Sequence, residues 1–319
     1  MKITVLSGGV GGARFTRGLL GLVGDEHPVT VIANTGDDMW LHGVRVCPDL
    51  DTLMYTLGGA VHEDQGWGRR GESTRVSDEL AAYSLGWDWF TLGDLDLATH
   101  LARTELLRAG LPLSQVTRRL TERWQPGVTL VPMTDDEVET HVVLDDGREI
   151  HFEEWWVRHR AAIPARRFVQ TNLATSSPAP GVLEALRDAD VVVIPPSNPV
   201  VSVGTILAIP GVRDALASTH APVVGVSPVV GGAPVRGMAD ACLAAIGVET
   251  SAQAVAEHYG RRTDGGILDA WLVDEVDAPA AARLRDAGWA SRAVPTLMTD
   301  VPTTARIAAD ALELVDRRP

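Results

Sequence analysis

Cysteine is nearly missing from this 319-residue chain, with Cys47 and Cys242 the only two. That excludes a disulfide scaffold, which needs several pairs. No apolar run reaches the roughly 18 residues of a membrane span. The opening Met1-Lys2-Ile3-Thr4-Val5-Leu6 lacks the apolar stretch and small-residue cleavage site of a secretory leader. Together these absences predict a cytosolic protein. Positive charge is scarce, lysine above all, and the formal net charge is −14. A field of that sign repels nucleic-acid backbones and anionic membranes unless a basic patch overrides it. The best such patch, Arg158, Arg160, Arg166 and Arg167, is short and reads as a solvated face. No nucleic-acid or membrane partner is expected.

Strands and helices alternate at both ends of the chain. Residues 2–7 form a β-rich run, 12–23 a helix and 29–34 a second apolar strand. In the second half, helices are predicted at 182–189, 206–217 and 303–315, and strands at 190–194, 222–227, 268–273 and 290–294. Runs that are apolar throughout suit parallel strands buried on both faces. The expected fold is therefore α/β, a doubly wound, mostly parallel Rossmann-like sheet. The middle differs. Helices are read at 77–82 and 97–109, with β-rich runs at 128–133 and 138–144. The turn Asp145-Asp146-Gly147 then signals a hairpin into residues 149–152. Residues 1–60 and 169–319 are expected to form the nucleotide-binding core. Residues 61–168 are expected to form an inserted helical and β-hairpin subdomain over the cleft, with 174–180 as the re-entry linker.

Several segments carry possible chemistry. Ser7-Gly8-Gly9-Val10-Gly11-Gly12 follows the first strand and opens a helix, where free N–H groups attract an anion. It lacks the Gly-Lys-Ser/Thr of a Walker loop and departs from strict G-x-G-x-x-G, so tight strand–helix packing remains an alternative. Asn34-Thr35-Gly36-Asp37-Asp38 ends the second strand and faces the same crevice. Its acidic residues suit a ribose hydroxyl, a metal, or an Asx turn. Pro48-Asp49-Leu50-Asp51-Thr52 precedes an apolar helical run, 53–57, whose first turn these carboxylates equally suit as caps. An acidic cluster in an already acidic protein calls for a cation, and magnesium takes one or two carboxylates plus phosphates and water. Asp37, Asp49 and Asp51 are the expected metal ligands.

Thr91-Leu92-Gly93-Asp94-Leu95-Asp96 opens a helix whose apolar face is Ala98, Leu101, Ala102, Leu106 and Ala109. Asp96 reads as its N-cap, Thr91 and Asp94 lie within reach of a bound substrate, and His100 reads as structural. Pro195-Pro196-Ser197-Asn198-Pro199 is a rigid polar loop at a strand's carboxyl end, echoed by Ser227-Pro228 and Gly231-Gly232. Trp67, Trp87, Trp89, Trp155 and Trp156 read mostly as core, with one or two suited to stack on a planar ring.

Taken together, the glycine turn, NTGDD, PDLDT, TLGDLDLATH, PPSNPVVSVGTIL and GVSPVVGGAP resemble the transferases of coenzyme F420 biosynthesis. That family comprises 2-phospho-L-lactate transferase in archaea and phosphoenolpyruvate transferase in actinobacteria, and the resemblance runs nearly end to end. It implies a guanosine diphosphate-linked three-carbon acid as donor and the deazaflavin Fo as acceptor. Fo's terminal ribityl hydroxyl would attack phosphorus, GMP would leave, and (dehydro-)F420-0 would form. Gly8, Gly9, Gly11 and Gly12, with Asn34 and Ser227, would hold the donor's phosphates, bridged by Mg2+ to a subset of Asp37, Asp49 and Asp51. The resemblance places Asp51 and Thr91 against Fo, joined by Asp94, Ser197 and Asn198. Asp51 or Asp49 would orient or deprotonate the attacking hydroxyl. A homodimer is also implied. Two rivals share the opening βα unit: a nucleotide-sugar-binding regulator of related fold without transfer chemistry, and a dinucleotide-dependent oxidoreductase.

Overall fold

The computed structural model of the chain describes residues 1–85 and 89–316. In chain order come β1 (Ile3–Ser7), α1 (Val10–Val23), β2 (Val29–Ala33), the ribbon β3 (Met39–Leu41) and β4 (Val44–Val46), and α2 (Pro48–Leu57). Then follow α3 (Arg75–Ala82), α4 (Asp94–Arg108), α5 (Leu113–Trp124), β5 (Thr129–Pro132), β6 (Thr140–Leu144), β7 (Glu149–His151) and β8 (Ala165–Gln170). The next stretch holds α6 (Val182–Arg187), β9 (Val191–Ile194), α7 (Val203–Ala208), α8 (Val212–Ser218), β10 (Val223–Val226), β11 (Val229–Val230) and β12 (Ala233–Pro234). It closes with α9 (Ala239–Ala245), α10 (Ala252–Tyr259), β13 (Ala270–Asp274), α11 (Ala278–Asp286), β14 (Ala290–Val294) and α12 (Val301–Asp316).

Seven strands pair in parallel in the order β14-β13-β10-β9-β1-β2-β5. The alternation of side chains along each strand explains why both faces need cover. Val191 and Val193 join Ile3, Val5 and Val31 on the face packed by α1 and α12. Val192 and Ile194 join Leu6 and Ile32 on the opposite face, under α6, α7 and α8. The doubly wound α/β fold is thus the one the apolar runs demanded. From β1 the chain moves one way through β2 and β5, and the other way from β9 onward. The carboxyl ends of β1 and β9 therefore lie side by side at the switch point, where ligands of open α/β sheets bind.

Two sequence expectations need correction. Residues 129–132, placed within the insertion, form the edge strand of the main sheet, in register from Thr30↔Thr129 to Ala33↔Pro132. Their apolar run suits a strand beside β2, and an edge position tolerates Pro132. The helix read at 206–217 is two helices, because Pro210 has no N–H to continue the first and Gly211, at φ 86, starts the second. The segments on either side of β5 do reach the cleft: residues between 62 and 100 and between 152 and 157 line it.

The ribbon β3–β4 is held to the middle sheet by a buried ion pair, Arg45 Nη1 to Glu139 Oε1 at 2.8 Å. Burial alone would raise the Glu139 pKa, but hydrogen bonds from His141 and Arg45 outweigh it and hold the group at about 2. A depressed carboxylate contributes stability above its unfolded pKa of roughly 4.3, and that contribution is lost as pH falls toward the folded value. Glu139→Gln is expected to cost about 1–2 kcal/mol at pH 7, discounted for partial solvent screening. Thermal melts from pH 7 to 2 should show the variant and wild type converging at the acid end. A constant difference across that range would contradict this account.

Candidate active site

A cleft of about 1150 Å³ opens at the carboxyl ends of β1, β9 and β10. Gly8, Gly9 and Gly11 of the turn line it, together with Ser197, Asn198 and Ser227 of the loops after β9 and β10. The turn is also tightly packed. A Cβ on Gly9 would stand 2.5 Å from Asp49 Oδ1, and one on Gly11 would stand 2.1 Å from the Pro196 carbonyl oxygen. Gly12 lies outside the cleft lining and serves packing alone, since a Cβ there would meet Ser7 Oγ at 1.8 Å. Tight packing thus holds at Gly9 and Gly11 as well, although both also line the cleft.

Beside the turn lies an acidic group, with Asp49 against Gly9. Helix α2 starts at Pro48, so Asp49 and Asp51 sit inside its first turn rather than ahead of it. Asn34 does not line the cleft. Its Nδ2 donates to Asp37 Oδ2 at 3.1 Å and to Asp49 Oδ2 at 2.9 Å, while its Oδ1 accepts from the Gly36 amide. Asn34 thus positions two carboxylates and does not itself face a phosphate. Burial, then the charges of Asp49, Glu153 and Asp38, pushes Asp37 well above the usual carboxylate range. Burial likewise raises Asp49 to about 6 and, with the charge of Asp49, raises Glu153 to about 8. Asp37 Oδ1 is buried without a hydrogen-bond partner. A buried and a half-buried carboxylate beside a phosphate-type turn, the buried one with an orphaned oxygen, fit magnesium, which completes its shell with phosphate oxygens and water. Asp38 does not line the cleft; it is buried, and burial lifts its carboxyl to about 7.

Asp51 has other partners. Arg103 Nη2 donates to its Oδ1, and His100 Nδ1 lies 3.5 Å from its Oδ2. Asp51, Asp96 and His100 have ligand atoms within 4.8 Å of one another, yet the Arg103 guanidinium already supplies the positive charge beside Asp51. Asp51 therefore stands apart in its partners from the Asp37–Asp49 pair, although a subset of the three was expected to hold the metal. The face of α4 is the reverse of the apolar one expected. Thr99, His100, Arg103 and Thr104 are buried, while Leu101 is 54 % exposed.

The start of α4 is set by an exchange of caps. Glu72 accepts the amide protons of Leu95 and Asp96 at 2.8 and 2.9 Å. In return Asp94 accepts from Ser73 Oγ at 2.5 Å and from the Val76 amide at 3.1 Å, near the start of α3. Asp94 is thus a cap for α3 and does not line the cleft, whereas Thr91 does. Asp96 is not the N-cap; it sits in the first turn and accepts from Tyr55 Oη at 2.7 Å. Glu72, Arg103, His100 and Glu153 are the residues that sequence reasoning missed.

The loop residues are largely committed to one another. Ser197 Oγ accepts from the Gly8 amide at 3.2 Å, joining the β9 loop to the glycine turn. Asn198 Oδ1 accepts from the Val200 and Val201 amides, and Ser227 Oγ bonds both ways with Val229. Each holds its loop in shape. Of the tryptophans expected to be mostly core, Trp155 is buried, but Trp67, Trp89 and Trp156 line the cleft; Trp87 lies outside the described residues. Arg158, Arg160, Arg166 and Arg167 are exposed, as a solvated face should be.

The pattern of the 2-phospho-L-lactate transferase CofD family matches residues 3–309. The chain belongs to this family. It is accordingly a transferase, and the oxidoreductase reading falls away. Among curated relatives, the phosphoenolpyruvate transferase of Streptomyces coelicolor is 58 % identical over 319 residues, covering 99 % of this chain and 98 % of that one. The phosphoenolpyruvate transferase of Mycolicibacterium smegmatis is 53 % identical over 327 residues, covering 98 % of each. A crystal structure of a UPF0052 family member from Bacillus halodurans superposes with a TM-score of 0.64 at 18 % identity, covering 98 % of each chain. That likeness is one of fold. No helix among the described residues is long and apolar enough to cross a membrane.

For a CofD-family transferase, the contact between the glycine turn and the β9 loop has a testable cost. The Cβ of Gly11→Ala would meet a backbone carbonyl, which cannot swing aside as a side chain would. The variant is expected to lose about 2 kcal/mol of stability and at least tenfold in turnover as α1 and the loop part. Thermal melting and steady-state kinetics on the purified variant measure both, and wild-type values would contradict the close packing.

Proposed function

We propose that the protein moves a phosphoenolpyruvyl or 2-phospho-L-lactyl group from a guanosine diphosphate-linked donor to the terminal ribityl hydroxyl of Fo. A bond forms between that hydroxyl oxygen and the phosphorus bearing the three-carbon acid. The bond from the same phosphorus to the bridging oxygen breaks, GMP leaves, and the hydroxyl proton departs. The supporting observation is the pair of carboxylates, buried Asp37 and half-buried Asp49, that share Asn34 and line one cleft with the Gly8–Gly9–Gly11 turn, Asp49 lying against Gly9. The names of the relatives in Streptomyces and Mycolicibacterium favour phosphoenolpyruvate as the three-carbon acid.

In this reading the glycine turn and the start of α1 receive the donor's diphosphate. Asp37 and Asp49 would hold magnesium, which when bound neutralises charge on the phosphates. Asp51 accepts the hydrogen of the attacking hydroxyl and orients its oxygen, with Thr91 beside it. A carboxylate is a weak base, so positioning carries most of the effect. Trp67, Trp89 and Trp156 give the planar deazaflavin an aromatic wall. A cytosolic homodimer completes the proposal, and sedimentation equilibrium at twice the chain mass would support its oligomeric part.

The test is release of GMP from the synthetic donor, followed chromatographically with and without Fo. Release that requires Fo, one GMP per Fo consumed, is the expected result. A regulator that only binds nucleotide-sugars predicts no release, and release without Fo would point to a hydrolase.

A further inference from the structure

Helix α4 turns its polar face inward, and hydrophobic burial gives no reason for that choice. Arg103 and His100 are each 1 % exposed, whereas Leu101 on the same helix is 54 % exposed. Burying a guanidinium costs several kcal/mol unless its donors find partners, and Arg103 finds them for Nη1 and Nη2 while Nε is left without one. Arg103 Nη2 donates to Asp51 Oδ1; Nη1 donates to the Arg45 carbonyl at 3.2 Å and to His100 Nδ1 at 3.1 Å. A guanidinium can only donate, so His100 Nδ1 accepts and the ring proton sits on Nε2. Nε2 lies 3.3 Å from Asp96 Oδ2, close but not aligned as a hydrogen bond, and Tyr55 Oη donates to the other oxygen of the same carboxylate. The chain of contacts runs Tyr55, Asp96, His100, Arg103, Asp51. It ends at Asp51 Oδ2, a buried oxygen with no hydrogen-bond partner on a residue that lines the cleft.

We propose that Arg103, oriented by His100 and Asp96, is the positioning residue that fixes Asp51 so that Oδ2 faces the acceptor's hydroxyl. This rests on the transfer reading above for the identity of the acceptor, while the hydrogen-bond arrangement stands on the geometry alone. Arginine is required because one planar group must reach a carboxylate, an imidazole and a carbonyl together, which a lysine ammonium on a flexible stem does not reproduce. His100 is required as a neutral part with one acceptor and one donor edge. Glutamine offers the same two edges, and leucine offers neither.

The experiment combines kinetics with a readout independent of substrate. Arg103→Lys is expected to lower kcat about 100-fold while leaving KM for the donor within about twofold, as a misplaced reacting group does. His100→Leu should lose about tenfold in kcat, and His100→Gln should recover most of that loss. Wild-type kcat in both Arg103→Lys and His100→Leu would overturn the proposal. So would losses that follow melting temperature alone, with no rescue by glutamine. Nitrogen-15 spectra of histidine-labelled protein, assigned by the signal missing in His100→Gln, report the ring directly. An unprotonated Nδ1 and protonated Nε2 are expected. A doubly protonated ring, or a proton on Nδ1, overturns the arrangement. Absence of turnover by the wild type would count against the transfer reading, and the spectra would then judge the arrangement separately.

Discussion

Asp51→Asn is expected to lower turnover about 10³-fold, within the 10²–10⁴ range of a lost acid–base partner, and to lower the melting temperature as well. The two effects have separate origins. In the transfer reading, loss of activity follows from Oδ2, the unpartnered carboxylate oxygen of a residue that lines the cleft. Loss of stability follows from Arg103, which is 1 % exposed and would keep its charge beside a neutral amide. Breaking a buried pair on one side typically costs about 3–5 kcal/mol, and the lower end applies because Asn still offers an acceptor. A double variant separates them. Asp51→Asn with Arg103→Met removes the stranded cation and should regain stability while turnover stays low. Near-wild-type turnover in Asp51→Asn would remove that carboxylate from the mechanism, whatever happens to the fold.

Asp37→Asn should act on stability in the opposite direction. Burial and the charges of Asp49, Glu153 and Asp38 disfavour the ionised Asp37, so holding that carboxyl in place costs the fold stability. An amide of the same shape removes that repulsion, and metal-free protein should gain about 1–2 kcal/mol. The same change deletes a proposed magnesium ligand. Added magnesium should raise the melting temperature of the wild type, because it binds the native state, and should leave the variant unmoved. Turnover should fall below detection. A variant that is less stable without metal, or equally stabilised by magnesium, would contradict the proposed division between structural cost and ligand binding. Such a trade of stability for function is common where a site must hold like charges together.

The parts legible from the chain were those written in local sequence. Apolar runs such as 190–194 and 222–227 carried the sheet, because strands buried on both faces have no polar alternation to disguise them. The turn at Gly8–Gly11 and the segments holding Asp37, Asp49 and Asp51 were visible as chemistry bunched at strand ends. What stayed hidden depends on which face of an element points inward. Helix α4 was read by its Leu and Ala positions, but its buried side is Thr99, His100, Arg103 and Thr104, spaced as neighbours on one helical face. That spacing was a signal, and polar partners across the cleft outweighed apolar burial. Asp94 and Glu72 exchange helix caps over 22 residues of chain, a relation no local pattern reveals. Asn34 reads as a phosphate contact from its position, yet its amide is spent on two aspartates. The tryptophans were read mostly as core, yet Trp67, Trp89 and Trp156 line the cleft, Trp156 while also packing on the core around Phe152.

The cleft's chemistry is defined by which bond forms there. Fo carrying oxygen-18 in its terminal ribityl hydroxyl, incubated with the guanosine diphosphate-linked phosphoenolpyruvate donor and magnesium, tests this by mass spectrometry of both products. Attack by that hydroxyl on phosphorus predicts a product that retains the label, together with unlabelled GMP. Label lost from the product, or Fo returned unchanged while GMP accumulates, would contradict the transfer assigned to this site.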